Sequence, residues 1–248
     1  MTEPVNYDLV APTFDKRYER NRYDGVEAAL WRFVGKSDTV DVGEVGCGTG
    51  HWLSRLHGHV RKVAGLDPSR EMLQRARAAA PGALVARGRA EALPWVTGTL
   101  DRIFCINALH HFDDARAFMI EARRVLRPGG ALMTVGLDPH AQLDAWWIYD
   151  YFPGALQADR ARYLPTALIR ERLKAAGFTE GATELAQHKP AEVPFVIAAE
   201  RGLIDRRSTS QLMVISDAEY EAGWQSLRAE QPILRADLRL YATVGWVT

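Results

Sequence analysis

From residue 39 onward the chain alternates short apolar runs with stretches of helical period. Runs at 39–45, 62–66, 83–86, 100–106 and 131–135 have the length and the β-branched content of buried strands. Between them, 50–56, 69–80 and 114–125 carry apolar residues at helical spacing. Ser69 is a good N-cap for the second of these, and Pro81-Gly82 ends it. A helix over 24–34, one over 166–176 between Pro165 and Gly177, and further strands over 183–187 and 238–247 complete the series. Strand, helix, strand in repeated order predicts an α/β fold: a doubly wound, Rossmann-like, mostly parallel sheet of seven strands.

Two stretches break the alternation. Over 138–164, Trp146, Trp147, Tyr149, Tyr151 and Phe152 crowd into seven residues that no single period buries. Over 190–233 a helical run at 195–204 precedes Ser216-Asp217-Ala218-Glu219, a capping box opening a helix to about 227. Both read as helical lid or substrate-side insertions in one domain covering 1–248, with 1–35 as an N-terminal arm and helix and 39–137 as the ligand-binding core. The arm is rich in aromatics and arginines from Phe14 to Tyr23.

Composition narrows the function classes. Lysine plus arginine equals aspartate plus glutamate, 31 each, so no global positive field is available to hold a nucleic-acid backbone. The two cysteines, Cys47 and Cys105, make neither a disulfide framework nor a zinc pattern, and the seven histidines show no ligand spacing, so no metal is expected. Residues 1–10 lack a basic-then-apolar leader, and the apolar runs fall short of the roughly 20 residues of a membrane helix. The expectation is a cytoplasmic protein, monomer or homodimer, without membrane or nucleic-acid partners.

The chemistry gathers at Glu44-Val45-Gly46-Cys47-Gly48-Thr49-Gly50, where the first strand ends and a helix begins. Glycines there let a ligand approach bare backbone, and the helix start offers unpaired N–H groups. Nicotinamide and flavin sites use a similar turn, but their third glycine falls three positions after the second. Here Gly50 comes two after, and His51 stands at the dinucleotide position. Asp67 ends the second strand, where a carboxylate accepts from both hydroxyls of a ribose.

Taken with Leu66-Asp67-Pro68-Ser69, Met72-Leu73, Gly88-Arg89-Ala90-Glu91-Ala92-Leu93-Pro94-Trp95, Asn107-Ala108-Leu109-His110-His111-Phe112 and Arg124-Val125-Leu126-Arg127-Pro128-Gly129-Gly130, the loop resembles the class I S-adenosylmethionine-dependent methyltransferases, in particular the small-molecule group labelled type 11. The resemblance covers roughly residues 40 to 137, in order and with normal spacing. It implies an antiparallel last strand, S-adenosyl-L-methionine as cofactor and a small-molecule methyl acceptor. Gly46, Cys47 and Gly48 would lie against the methionyl part and ribose, with Glu44 holding the amino group through the loop. Asp67 would take the ribose hydroxyls, and Pro68 and Met72 an adenine face. The family commonly has Asp where this chain has Arg89, which cannot accept a hydrogen bond. Adenine recognition would then fall to the Ala90 backbone, beside Glu91, or to the Arg89 plane. Asn107 would face the methionyl group, and Arg17 or Tyr18 of the arm would close the site.

Methyl transfer from a sulfonium needs alignment and exclusion of water, and a general base only when the acceptor must lose a proton. His110, three residues after Asn107, is the first candidate base and His140, after the fifth strand, the second. A cofactor-binding regulator without transfer and a nicotinamide oxidoreductase are the rival readings. The acceptor is not written in these motifs.

Overall fold

The computed structural model describes residues 7–179 and 181–248. Residues 1–6 of the arm, and with them most of the leader reading, lie outside the described residues. Two 3-10 turns, Tyr7–Leu9 and Ala11–Thr13, lead into helices α1 (Lys16–Arg20) and α2 (Asp24–Val34). Strand β1 (Ser37–Val45), helix α3 (His51–Leu56), strand β2 (Val60–Asp67), helix α4 (Arg70–Ala79) and strand β3 (Leu84–Arg87) follow. Then come β4 (Leu100–Ile106), a 3-10 turn at Leu109–His111, α5 (Ala115–Val125), β5 (Leu126–Gly136), the two-residue β6 (Ala145–Trp146), α6 (Trp147–Tyr151), α7 (Pro153–Arg162) and α8 (Thr166–Ala175). The chain closes with β7 (Thr183–Pro194), α9 (Phe195–Glu200), α10 (Ser210–Met213), α11 (Asp217–Glu230) and β8 (Ile233–Trp246).

The strands run in the order β3-β2-β1-β4-β5-β8-β6, with β7 paired to β8 off that path. The first five are parallel to their neighbours, and β8 is antiparallel to β5 and to β6. Among the described residues the sheet therefore has eight strands, not the seven predicted. The added strand is β6, paired with β8 through Ala145–Asp237 and Trp146–Ala236 alone, and two residues are too few to show an alternation. The antiparallel closing strand is present as expected.

Each element has a local cause. The last five residues of β1 are all buried, as a central parallel strand covered on both faces must be. Ser69 caps α4 by accepting from the Met72 N–H, and Asp114 caps α5 by accepting from Arg116 and Ala117. Phe118, Met119, Ala122 and Val125 of one face of α5 have no exposure, and neither do Ile103, Phe104 and Leu132 of the sheet. Burying each large apolar side chain there is worth about 1.5–3 kcal/mol. At the opposite end of β1, Asp41 accepts from Arg61 Nε at 2.7 Å and from Arg127 Nη2 at 3.2 Å, tying β1 to β2 and β5.

By its contacts the chain forms two compact units. The larger, Tyr7–Gly136 with Thr166–Gln187 and Leu240–Thr248, holds β1 to β5 and every glycine of the loop. The other comprises Leu137–Pro165 and His188–Arg239. Its core gathers Trp147, Ile148, Phe152, Leu212, Leu227 and their neighbours, with Trp146, Tyr149 and Tyr151 partly buried around them. The aromatic crowd defied one period because it crosses element boundaries: Trp146 closes β6, Trp147, Tyr149 and Tyr151 lie in α6, and Phe152 is the junction before Pro153 starts α7. No helix among the described residues is long and apolar enough to cross a membrane.

Candidate functional site

The glycine loop lies at the C-terminal ends of β1 and β2, all within the larger unit. Gly46 sits at φ +77°, a conformation costly for any residue with a Cβ, and an added Cβ would meet Ala108 Cβ at 2.4 Å. Gly46 and Cys47 both donate to the Leu66 carbonyl, at 2.8 and 3.0 Å, which pins the loop to the end of β2. Gly50 has a packing reason of its own: an added Cβ there would meet Ala76 Cα of α4 at 2.8 Å, so the glycine lets the start of α3 pass close to α4.

Asp67 joins the loop to the next helix. Its Oδ2 accepts from the Gly48 N–H at 2.8 Å and its Oδ1 from the Ser69 N–H at 2.9 Å. Each carboxylate oxygen has two lone pairs, so each keeps one for a ligand hydroxyl. Burial raises the Asp67 pKa, against the pull of those two N–H bonds. Glu44, 1% exposed, stands beneath the same loop with Oε2 buried and unpartnered. Burial, and then the charge of Asp67, pushes its pKa well above the ordinary carboxylate range. An orphaned buried acceptor is costly unless a donor arrives. Cys47 is also buried, and its thiol is pushed well above its usual range by desolvation, so it is a packing group rather than a nucleophile.

The arm folds against this loop. Asp8 Oδ1 accepts from Ser69 Oγ at 2.5 Å, and Asp15 Oδ1 accepts from Thr49 Oγ1 at 2.5 Å. Tyr18 stacks face to face on His51, with centroids 3.6 Å apart and planes within 2°. Burial drives the Tyr18 phenol pKa far up, and the nearby Glu44 charge adds to it. Burial and then Arg55 pull His51 down to about 4, so the stacked imidazole is neutral at physiological pH. Arg17 lies over the Phe14 ring at 4.2 Å. The sequence singled out Arg17 and Tyr18 in this arm but missed Tyr7, Asp8, Phe14 and Asp15. The aromatic density from Phe14 to Tyr23 touched only Phe14 of these, because the contacts of Tyr7, Asp8 and Asp15 reach across 34 to 104 positions.

The remaining predicted residues divide. Met72 is buried at 1% exposure, Ala90 at 5%, and Pro68 is exposed with its carbonyl accepting from Arg87. Arg89 pairs with Asp113 and Glu91. Glu91 Oε1 accepts from the Asp113 and Asp114 N–H groups, so both side chains are committed to the start of α5. Asn107, at the end of β4, adopts φ +52°, a left-handed conformation that non-glycine residues adopt mainly where surrounding structure holds them. Beyond it, the His110 and His111 rings lie 3.9 Å apart, and His111 Nε2 is 2.6 Å from the Tyr7 hydroxyl. The sequence chose His110; its neighbour His111 makes the bond to the Tyr7 hydroxyl. His140 belongs to the other unit, where its Nε2–H donates to the Tyr163 carbonyl at 2.9 Å.

A separate groove of about 770 Å³, lined by Lys62, Ala64, Leu84, Pro94 and Trp95 among others, shares no residue with the loop. The loop, Asp67 and Glu44 instead offer lone pairs, bare backbone and a buried unpaired carboxylate oxygen. That set suits a ligand with a diol and a cationic nitrogen.

Comparison with known proteins bears on the same stretch. The model of a family described as a methyltransferase domain matches residues 43–134. An uncharacterized methyltransferase of Mycobacterium tuberculosis is 40% identical over 89 residues, 36% of either chain. The phthiotriol/phenolphthiotriol dimycocerosates methyltransferase of Mycobacterium leprae is 34% identical over 131 residues, 51% of this chain and 48% of that one. The matches thus span half or less of these curated relatives. Among solved structures, the YcgJ protein of Bacillus subtilis superposes with TM-score 0.65 at 18% identity, over 91% of this chain and 99% of its own. The Haemonchus contortus phosphoethanolamine N-methyltransferase 2 in complex with S-adenosyl-L-methionine gives 0.61 at 17%, over 97% and 57%. At such identities the superpositions speak to the fold.

Proposed function

We propose, because this chain belongs over residues 43–134 to the methyltransferase domain family, that it moves a methyl group from S-adenosylmethionine to a small organic acceptor. The observation that carries the reading is Asp67. It is fixed by N–H bonds from Gly48 and Ser69, yet each oxygen keeps a lone pair for the ribose hydroxyls. Gly46 to Gly48 would pass the methionyl part along bare backbone. Glu44 Oε2, buried and unpaired, would take the charge of the amino group. Met72 and Ala90 would bound the adenine, with Pro68 at the open edge. When bound, the cofactor supplies an electrophilic methyl on a sulfonium. The chain's own part is to orient the acceptor, exclude water and hold the acceptor's proton where there is one. The arm serves exclusion: Tyr18 on His51 and Asp15 on Thr49 close over the loop. His111, oriented by Tyr7 at 2.6 Å, is positioned to hold a proton beside Asn107, with His110 the neighbouring candidate. His140 has its Nε2–H engaged by a carbonyl, which leaves Nδ1 as the ring's acceptor.

Calorimetric titration with S-adenosylmethionine, S-adenosylhomocysteine and NADH tests the donor. Micromolar binding of the first two and none of the third is expected, and binding of the nicotinamide alone overturns the reading. Transfer of radiolabelled methyl into a panel of phenols, amines and carboxylic acids tests the chemistry. Donor binding with no labelled product from any acceptor would make the chain a donor-binding regulator instead.

A further inference from the structure

The larger unit holds a groove that methyl transfer at the glycine loop leaves unused, and its cause lies in the topology. Gly43 of β1 pairs with Ala64 of β2, and Ala64 with Leu84 of β3, so the three share one rung and one face of the sheet. An added Cβ on Gly43 would meet the Trp95 ring at 3.0 Å, which identifies that face. Gly65, one position after Ala64, faces the other way, where its added Cβ would meet Leu53 of α3 at 2.6 Å. The α3 side is therefore covered. On the Trp95 side, residues 88–99 run from β3 to β4 without a helix, so the face over β2 and β3 stays open. Leu84 is 65% exposed there, and the open space amounts to about 770 Å³. Its far wall is tied to α5: the Leu93 N–H donates to Glu121 Oε2 at 2.9 Å, and Arg124 Nη1 donates to the Trp95 carbonyl at 3.0 Å.

We infer that this groove binds an amphipathic organic anion, with a flat apolar body over the sheet face and a single acid group at the cationic rim. Its volume lies within the range of about 300–1,000 Å³ that small-ligand pockets span. Ala64 and Ala86 present short side chains as its floor, and Trp95 and Leu84 give it apolar walls. Charge fixes the sign of the ligand. Asp41 is the one acid among the lining residues, and it is taken by Arg61 and Arg127, the latter paired with Asp101 as well. Lys62 and Arg77 line the same groove and make no ion pair or hydrogen bond among the described residues. An anion gains two cations there with no acid to displace, whereas a cation meets only like charge. The same charges disfavour a second copy of this chain on the face, because two-fold pairing would set Lys62 and Arg77 against themselves. The groove shares no residue with the glycine loop, so the inference stands whichever ligand that loop holds.

Saturation-transfer NMR and calorimetry on the full chain test it, with 2-naphthoate and its cationic isostere 2-naphthylmethylammonium as probes at matched ionic strength. The wild-type chain should bind 2-naphthoate at millimolar concentration or tighter, and the cation at least tenfold more weakly. Lys62→Gln combined with Arg77→Gln should weaken 2-naphthoate about tenfold, as the loss of two exposed charge pairs allows. Lys62→Arg should hold it within twofold, and Leu84→Ser should weaken it at least threefold. Circular dichroism and S-adenosylhomocysteine affinity should stay unchanged in every variant, and saturating S-adenosylhomocysteine should not displace 2-naphthoate. Absence of 2-naphthoate binding to the wild-type chain overturns the inference whatever the variants do. Displacement by S-adenosylhomocysteine would put the probe in the glycine loop, and equal binding by the folded double variant would put it elsewhere; either overturns the inference. So does sedimentation that shows a dimer which Leu84→Ser dissolves, because the face would then belong to a second copy.

Discussion

Replacing Gly46 with alanine separates the two demands that the loop places on that position. The new Cβ must adopt φ +77° and must share space with Ala108 Cβ, 2.4 Å away. The left-handed backbone costs about 1–2 kcal/mol, and overpacking against the segment that follows β4 costs about 1–3 kcal/mol. The lower entropy of the unfolded alanine chain offsets about 0.4–1 kcal/mol. The net expectation is roughly 2–4 kcal/mol, a large part of an ordinary domain's 5–15 kcal/mol. Gly98→Ala is the control, because Gly98 also has positive φ, +66°, but nothing lies within 4 Å of its added Cβ. It should cost only about 1 kcal/mol. Urea unfolding should therefore show a midpoint for Gly46→Ala about 1 M below that of Gly98→Ala, for a slope of about 2–3 kcal/mol/M. On the proposed function the methyl would also enter the ligand cradle, so S-adenosylhomocysteine affinity should fall at least tenfold in Gly46→Ala and not in Gly98→Ala. Equal midpoints for the two variants would refute the steric argument, and an unchanged affinity would remove Gly46 from the cradle.

Three further outcomes follow. Glu44 has a folded pKa raised by burial, so its contribution to stability is full below the ordinary value near 4.5 and is lost as pH rises through the raised one. Glu44→Gln should thus match the ligand-free wild type near pH 4 and exceed it increasingly above, by up to about 1.4 kcal/mol per pH unit in that window; equal urea midpoints at every pH would exclude this. Asp41 is the opposite case: pairing with Arg61 lowers its pKa, so its stabilisation is present above 3.8 and lost as pH falls through the depressed value. Asp41→Asn should lower the thermal midpoint at pH 7, with the difference vanishing in acid, and a pH-independent gap would point to packing instead. Tyr7→Phe should reduce methyl transfer about tenfold and move the acid limb of the pH–rate profile. That is less than the roughly 10²–10⁴ lost with a base itself, and donor affinity should hold within twofold; an unmoved profile would make the Tyr7–His111 contact purely structural.

Much of the fold was legible because its strongest signals are local. Ser69, Asp114 and Ser216 cap the helices that their sequence contexts predict, each accepting a backbone N–H two or three residues on. Strand β4 runs from Leu100 to Ile106 as its apolar run does. The misplacements occur where tertiary pairing overrides pattern. Strand β7 continues through Pro190 to Pro194, most of its residues only partly covered, because an edge strand with exposed positions tolerates residues that lack an N–H. Strand β8 begins at Ile233, five residues before the alternation is visible, because β6 is its partner there. Such pairing leaves no trace in either segment taken alone.

The site divides along the same line. Glu44, Gly46, Gly48 and Asp67 lie within 24 residues of one another, and backbone hydrogen bonds between neighbouring strand ends bring them together. The order of residues therefore carries their geometry. Asp15 meets Thr49 of the loop, Asp8 meets Ser69 and Tyr7 meets His111 only after the arm has crossed the ends of the strands. No spacing encodes that crossing, and Asp8 and Asp15 look like ordinary surface acids in the sequence. The bond between His111 and the Tyr7 hydroxyl is of the same kind, since it joins residues 104 positions apart. Arg89 shows the converse. Its departure from the family pattern looked like a lost contact to the ligand, but with Asp113 it forms a bridge across the start of α5 that Glu91 completes. A motif thus fixes the backbone of the loop, whereas side-chain contacts at its margins depend on partners that lie far along the chain.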